Sequence, residues 1–374
     1  MIRTTANRIA APLMIAILLV SASGARAAFK FESQYKTVLT ADDHVLGSLK
    51  SNYLVYDHPQ ITLYDSDGKK LFIKKIDYSS RPVISPNGKH VVVVTYDSKS
   101  PTDLRTLRVD FYDLAGKKQW TFNKPTPNTF MLADNGAIFG IEGVEGLSPT
   151  RIHMFDQFGS LLNMLTFKAY RGLAISPSGL KLAVDNGKEG LFVYDSVGNQ
   201  LAVLPSAKQY VFDNDDRYLG TFADGVFRLY QDQKVVQTIK TPEPVMVQIA
   251  INVQKNLVAL MATKRVALYE LVSGNMIWEF RVQEPDRMFT TVDLADNGKI
   301  IVCGMDVNNG STIPKEKRHS KGYIYVFAAD GKTLTPWPES YALWGIGFPK
   351  AAVNANGSSM MVLTREKIEK VLIK

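Results

Sequence analysis

The chain has 374 residues, of which 45% are hydrophobic and 21% are charged, with a formal net charge of +8 and a single cysteine. This composition is typical of a globular protein and excludes an intrinsically disordered chain. It also excludes an internal disulfide, because a lone cysteine has no partner. The many Tyr, Phe and Gly residues favour strands joined by tight turns.

The first 27 residues are predicted to form a cleavable signal peptide. Arg3 and Arg8 form a positively charged start before an apolar run of twelve residues, 9–20, and Ala25-Arg26-Ala27 forms an A-x-A cleavage site. The run is short for a membrane span, so an uncleaved anchor is the lesser alternative. Removal of Arg3, Arg8 and Arg26 lowers the net charge from +8 to +5. We therefore expect a mildly basic periplasmic protein with no integral membrane segment after cleavage and no nucleic-acid partner.

Two short signatures alternate along residues 28–374. In the first, an apolar strand ends in an aromatic residue, which is followed by Asp, two residues and Gly. An Asp side chain bonds to its own backbone and ends the strand in a turn. The aromatic positions of the clear and looser copies are Tyr64, Tyr112, Phe155, Tyr194, Tyr230, Tyr269 and Phe327. Their spacings are 48, 43, 39, 36, 39 and 58 residues, which indicates a structural repeat of about forty residues.

The second signature lies between copies of the first and reads Ser-Pro-Asn-Gly or a variant. Clear copies are Ser85-Pro86-Asn87-Gly88 and Ser176-Pro177-Ser178-Gly179. Pro presets the backbone of a turn, and Asn-Gly supplies the positive φ that a tight hairpin needs. Each repeat is therefore predicted to contain four antiparallel strands A to D, with tight A–B and C–D turns and more variable B–C and D–A loops.

Four strands in every forty residues predict an all-β fold, a β-propeller of four-stranded blades, forming a single domain over 28–374. We expect eight blades, with an N-terminal strand at 29–36 completing a C-terminal blade that begins at Lys350. Seven blades are the alternative if residues 29–49 form only one strand. An array of double-sheet sandwiches is disfavoured because it has no constant period.

These turns resemble the WD-repeat-like and pyrroloquinoline-quinone-type propeller repeats of exported bacterial proteins. Trp120 and Trp278 each lie four residues after the glycine of the Asp turn. This is similar to the quinoprotein repeat, whose Trp docks one blade on the next. The tandem Cys pair of some quinone-dependent alcohol dehydrogenases is absent, so we expect no cofactor. Among non-enzymatic propellers, the propeller subunit of the outer-membrane β-barrel assembly machinery is similar in size and compartment.

Three insertions depart most from the repeat, namely 96–105, 305–322 and 335–350. Binding usually involves irregular loops on a rigid scaffold, and the second and third insertions are expected to be neighbours on one rim. The candidate partner-binding residues of this rim are Lys315, Lys317, Arg318, His319, Lys321, Trp337, Tyr341 and Trp344. The functional interpretation is an interface with aromatic anchors and a basic surround that fits an acidic periplasmic or envelope protein. The alternative is a solvated basic loop with aromatics packed between blades.

No linear motif for catalysis or metal binding is present. The five histidines lack metal-ligand spacing, and no hydrolase or phosphate-binding motif occurs. Asp213-Asn214-Asp215-Asp216 resembles part of a calcium loop but stands where other repeats have a turn, and Cys303 is expected to be buried in a strand. We predict a non-catalytic protein-interaction scaffold or binding module. The alternatives are a quinone- or metal-dependent enzyme with its site in the central channel, and a module that binds carbohydrate or an envelope polymer.

Overall fold

The computed structural model describes most of the chain in detail. The described residues are 29–36, 44–46, 52–57, 59–65, 69–97, 106–123, 125–143, 149–246, 248–295, 297–308, 312, 314, 319–336, 341–342, 350–353, 358–363 and 367–373. Within these ranges the chain is all-β, with no α-helix and one short 3-10 helix at Gly187–Glu189. The predicted signal peptide lies outside the described residues.

The strands form successive antiparallel sheets, numbered here in chain order. Sheet 1 has β2 (His44–Leu46), β3 (Tyr53–Asp57), β4 (Gln60–Tyr64) and β5 (Lys70–Lys75), and sheet 2 has β6 (Ser80–Ile84), β7 (Val91–Tyr96), β8 (Thr106–Tyr112) and β9 (Lys118–Asn123). Sheet 3 has β10 (Thr129–Leu132), β11 (Ile138–Glu142), β12 (Thr150–Phe155) and β13 (Leu161–Phe167), and sheet 4 has β14 (Gly172–Ile175), β15 (Lys181–Asp185), β16 (Leu191–Asp195) and β17 (Gln200–Leu204). Sheet 5 has β18 (Gln209–Phe212), β19 (Tyr218–Ala223), β20 (Val226–Gln231) and β21 (Lys234–Lys240), and sheet 6 has β22 (Gln248–Asn252), β23 (Leu257–Met261), β24 (Arg265–Glu270) and β25 (Met276–Arg281).

The last two sheets depart from this simple succession. Sheet 7 has β26 (Arg287–Leu294), β27 (Ile300–Asn308), β28 (His319–Phe327) and β29 (Thr333–Pro336), and β30 (Tyr341–Ala342) pairs with β28 as a fifth strand. The eighth sheet has β31 (Lys350–Val353), β32 (Ser359–Leu363) and β33 (Lys367–Ile373). Its fourth strand is β1 (Phe29–Lys36), which pairs antiparallel with β33 from Phe29 opposite Ile373 to Lys36 opposite Lys367.

The hydrophobic core lies between the faces of successive sheets. Leu54 and Leu63 of sheet 1 pack with Val91 and Val93 of sheet 2, and comparable clusters join the later neighbours. The cluster around the fully buried Cys303 joins sheets 7 and 8. Burial raises the pKa of the Cys303 thiol to about 11, so the sulfur stays protonated at neutral pH. The prediction that this cysteine is buried is confirmed.

The Asp turns that the sequence predicted form between strands C and D. In sheet 2, Asp113 Oδ1 accepts the backbone N–H groups of Ala115 at 3.0 Å and Lys117 at 2.8 Å. The Asp213–Asp216 segment lies in the A–B turn between β18 and β19, where Asp213 Oδ1 accepts the N–H of Tyr218 at 2.7 Å. This geometry supports the interpretation of that segment as a turn.

The A–B turns also link neighbouring sheets, which the sequence did not indicate. Asp134 of sheet 3 accepts the backbone N–H of Asn87 of sheet 2 at 2.6 Å, and its own N–H donates to Pro177 O of sheet 4 at 2.8 Å. Ser178 of sheet 4 donates through its hydroxyl to Asp216 of sheet 5. The A–B turns of these sheets therefore lie side by side on one face, called here the turn face.

The two tryptophans of the repeat dock one sheet on the next. Trp120 Nε1 donates to Gln157 O of sheet 3 at 2.9 Å, and Trp278 Nε1 donates to Ala329 O of sheet 7 at 3.1 Å. Each indole lies against the glycine of the C–D turn that it contacts. Each tryptophan thus joins two neighbouring sheets through both ring packing and a hydrogen bond. Together these contacts fix the position of one sheet relative to the next.

Amide side chains make the equivalent contact where the repeat lacks a tryptophan. Asn163 Nδ2 on β13 donates to Val197 O of sheet 4 at 2.7 Å, and Gln237 Nε2 on β21 donates to Val272 O of sheet 6. The sequence analysis identified the two tryptophans and missed the two amides. What the four contacts share is a side-chain hydrogen-bond donor on strand D of one sheet. Different residue types supply this donor.

Candidate interaction surface

The most irregular part of the described structure is the hairpin of β27 and β28. Both strands have nine residues, whereas the middle strands of the other sheets have five to seven. The pairing of β26 with β27 ends at Arg287 opposite Asp306, but β27 and β28 stay paired as far as Asn308 opposite His319. The hairpin therefore projects beyond its own sheet at the B–C loop end, called here the loop face.

Arg287 anchors the base of this hairpin. Its Nε and Nη2 donate to the two carboxylate oxygens of Asp306 at 2.9 and 3.2 Å, and Nη1 donates to the hydroxyl of Tyr325 at 2.7 Å. The same Nη1 forms an ion pair with Glu284 at 2.9 Å. The guanidinium lies 4.1 Å from the ring centroid of Tyr323. Such a bidentate contact between an arginine and a carboxylate fixes both the distance and the relative orientation of the two side chains.

The electrostatics of the anchor keep it charged. Burial opposes the charge on Arg287, but the hydrogen bonds to Asp306 and the attraction of Tyr325, Asp306 and Glu284 together outweigh it, and the pKa of the guanidinium is raised. Burial raises the pKa of Tyr325, although the neighbouring Arg287 opposes this change. The guanidinium therefore stays charged across the physiological pH range, and its two hydrogen bonds to Asp306 tie β26 to β27 at the base of the hairpin.

Only three residues of the predicted rim lie within the described residues, and their positions are given by the pairing of their strands. His319 is the first residue of β28, Lys321 pairs with Asp306 on one side and with Ala342 on the other, and Tyr341 lies opposite Gly322. The other predicted rim residues, Lys315, Lys317, Arg318, Trp337 and Trp344, lie outside the described residues. By connectivity, the first three belong to the segment that joins β27 to β28.

The two insertions of the predicted rim come together through β30. This strand belongs to the insertion at 335–350 and pairs with β28, which contains the end of the insertion at 305–322. The sequence analysis expected the insertions to be neighbours, but nothing in the sequence pattern indicated the short strand or the arginine that anchors the hairpin.

A second set of charged residues lies at the loop face of sheet 3. Arg151 Nη1 donates to Glu142 Oε1 at 2.9 Å, and His153 Nε2 lies 2.8 Å from Glu142 Oε2. Burial raises the pKa of Glu142, but the hydrogen bond with His153 and the charge of Arg151 outweigh burial and lower it. The ionised carboxylate therefore stabilises the folded state.

We predict that Glu142→Gln removes a pH-dependent part of the stability. The native pKa of Glu142 is lowered, so its contribution is complete above the unfolded-state pKa of about 4.3 and is lost as the pH falls through the native value. We expect Glu142→Gln to be about 1 kcal/mol less stable than the parent at pH 7 and closer to it in stability at about pH 3. Denaturant titrations at both pH values measure the difference, and a difference independent of pH would contradict the assignment.

The described residues contain no obvious site for a metal. No group of three or more His, Cys, Asp or Glu side chains in the part of the chain that the structure describes is arranged to hold an ion. In the same part of the chain, no helix is both long and apolar enough for a membrane span.

Comparison with known proteins identifies the fold and no more. No protein-family model matches the sequence, and no curated protein matches it. BamB from Moraxella catarrhalis superimposes with a TM-score of 0.56 at 9% identity, over 92% of this chain and 99% of that one. A eukaryotic initiation factor gives a TM-score of 0.52 at 11% identity, over 85% and 92% of the two chains. The β-propeller domain of Cps50 (Swd1) from Myceliophteria thermophila gives 0.50 at 9%, over 92% and 100%.

At such low identities these similarities carry no information about activity. They agree with the succession of four-stranded antiparallel sheets and with the sequence repeat. The chain thus has a fold similar to that of β-propeller proteins.

Proposed function

We propose that this protein is a periplasmic β-propeller that acts as a non-catalytic protein-interaction scaffold. Its contact surface is the β27–β28 hairpin with β30 and the basic and aromatic residues of their two insertions. The partner is another periplasmic or envelope protein with an acidic surface. The observation that carries this proposal is the hairpin that projects from the loop face and is anchored at its base by Arg287.

The physical argument rests on how binding surfaces are built. A rigid base limits the conformational entropy that a loop loses on binding, and a projecting element can be reached by a large partner. The segment at the end of the hairpin contains Lys315, Lys317, Arg318 and His319, so long-range attraction of an acidic surface would accelerate association. Trp337, Tyr341 and Trp344 are of the residue types that dominate interface energies.

The location and the closure of the fold form part of the same proposal. Residues 1–27 are a signal peptide that is cleaved after Ala27, and residues 28–374 form one domain. In this proposal the eight sheets are the blades of one ring, and β1 closes the ring by completing the blade of β31–β33. The resulting domain holds the hairpin on a closed scaffold.

The test compares two triple variants of equal charge. Lys315, Lys317 and Lys321 are changed to Glu in one protein, and the exposed turn-face residues Lys69, Lys255 and Lys332 are changed to Glu in the other. A partner is captured from the organism's own envelope fraction, purified and titrated against all three proteins. We expect the hairpin variant to bind at least tenfold more weakly, and the turn-face variant to bind like the parent at 150 mM salt.

Other outcomes separate the alternatives. Equal loss of affinity in both variants would mean that net charge and not the hairpin attracts the partner. If no protein is captured but an anionic polysaccharide is retained through Trp337 and Trp344, the protein is a polymer-binding module. Stoichiometric quinone or metal in the purified protein would favour an enzyme with its site in the channel.

A further inference from the structure

A cleft of about 610 Å³ opens on the turn face between sheets 2 and 3. Its residues belong to other sheets than the β27–β28 hairpin. Its volume lies in the range of sites that hold a small ligand or a partner's side chain. The lining residues that matter to the argument are Lys89, His90, Phe111, Gln119, Trp120 and Phe158. Phe111 and Trp120 form one wall, with stacked rings whose centroids are 5.2 Å apart.

Most polar groups of the cleft are already engaged within the protein. The Asp113 carboxylate accepts the N–H of Ala115 at 3.0 Å and the Nε2 of Gln119 at 2.7 Å. The indole N–H of Trp120 donates to Gln157 O. A sugar needs several hydrogen-bonding partners, so a cleft with these groups engaged is poorly suited to one. It is better suited to an apolar group.

Phe158 also lines the cleft and is unusual for its position. It precedes the glycine of the C–D turn, where other sheets have Ala115, Val197 or Asp330. Its side chain is 70% exposed, so it contributes little to the core. A large aromatic ring kept in water at the edge of an apolar cleft is typical of a contact surface.

Lys89 supplies the positive charge at the edge of the cleft. It is exposed and has no carboxylate within ion-pair distance among the residues that the structure describes. Burial lowers the pKa of His90 despite the opposing effect of Asp134, so His90 is neutral at pH 7. Asp134 interacts electrostatically with both side chains, but its Oδ1 is engaged by the N–H of Asn87 at 2.6 Å.

We propose that this cleft binds an aromatic side chain of a partner polypeptide that has a carboxylate beside it. The ring would enter the cleft and contact Phe158 and the stacked pair of Phe111 and Trp120, and the carboxylate would pair with Lys89. The carboxylate could be the C-terminus of the partner or a neighbouring acidic side chain, because both present the same chemistry. This site is separate from the hairpin and does not depend on the function proposed for it.

The test uses fragments of that chemistry as probes. N-acetyl-phenylalanine, its uncharged amide and N-acetyl-Asp-Phe-amide are titrated into the full mature protein, and the Trp120 indole N–H signal is followed by NMR. Ligands of about 15 non-hydrogen atoms are expected to bind with millimolar affinity. We expect N-acetyl-phenylalanine to bind at least fivefold more tightly than its amide. Tighter binding of the dipeptide than of N-acetyl-phenylalanine would indicate that the carboxylate comes from an internal acidic residue. Tighter binding of N-acetyl-phenylalanine would indicate that it comes from a chain terminus.

Two matched pairs of variants make the result specific. Lys89→Met should abolish the preference for the acid, whereas Lys299→Met, the lysine that follows the A–B turn of sheet 7, should leave it unchanged. Phe158→Ala should weaken all the probes at least fivefold, and Val272→Ala, an exposed residue of another C–D turn, should have no effect. Because Phe158 and Lys89 are exposed, these proteins should fold normally. Equal affinities for acid and amide in the parent, or no saturable binding up to about 20 mM, would overturn the proposal.

Discussion

Gly88→Ala is expected to lower the free energy of unfolding by about 2–5 kcal/mol. Gly88 lies in the A–B turn of sheet 2 with φ at +68°, a conformation that costs a residue with a side chain about 1–2 kcal/mol. A β-carbon at this position would lie 2.1 Å from the backbone oxygen of Asn52 in sheet 1. Since a backbone atom cannot rotate away, the two sheets must separate, which adds about 1–3 kcal/mol.

Gly274→Ala is the control for the backbone conformation alone. Gly274 also has a positive φ, at +72°, but the nearest atom to its added β-carbon is 3.6 Å away. We expect this variant to lose only about 1–2 kcal/mol. Thermal and denaturant unfolding of both proteins measure the difference, and equal losses would mean that sheets 1 and 2 do not meet closely at Asn52.

Trp278→Ala is expected to lower the free energy of unfolding by about 3 kcal/mol, at the low end for a buried tryptophan because this ring is partly exposed. The substitution removes the contact with Phe327, whose ring centroid lies 5.0 Å away, and the hydrogen bond to Ala329 O. It also leaves a gap over Gly331, where an added β-carbon would lie 2.5 Å from the indole Cγ. Hydrogen exchange should detect this loss as faster exchange of the backbone amides of sheets 6 and 7.

Trp278→Phe separates packing from hydrogen bonding at the same position. It keeps an aromatic ring over sheet 7 and loses the indole N–H together with one of the two fused rings, so we expect a loss of about 1–2 kcal/mol, smaller than that of Trp278→Ala. If Trp278→Phe and Trp278→Ala lost the same stability, the remaining phenyl ring would contribute nothing to holding the two sheets together. If neither variant were destabilised, the docking role of the tryptophan would be wrong.

The docking contacts explain how this fold can support a binding surface. Each outer-strand donor positions the next sheet, and the A–B turns connect the sheets on the turn face. Under the proposed function, a partner that binds the hairpin would meet an element whose position is fixed by the packing of sheet 7 against its neighbours. This rigidity keeps the entropic cost of association low.

The sequence by itself determined the repeat and its strands. The Asp and Ser-Pro-Asn-Gly turns act locally, through φ preferences and hydrogen bonds within a few residues, so their spacing predicted four antiparallel strands per unit. The strand at 29–36 and its pairing with the C-terminal sheet followed from the same count. Trp120 and Trp278 were recognisable because an indole at a fixed distance from a turn glycine is a repeated pattern.

Only the tertiary structure decided which side chains meet across different sheets. Asn163 and Gln237 replace the docking tryptophan, and no pattern in the sequence distinguishes them from other amides on exposed strands. Arg287 anchors the hairpin through Asp306, nineteen residues away, and the Phe158 cleft combines three turns of two sheets. Such contacts depend on how the sheets are placed against one another. That placement is set by the summed packing of the core and not by any short stretch of the chain.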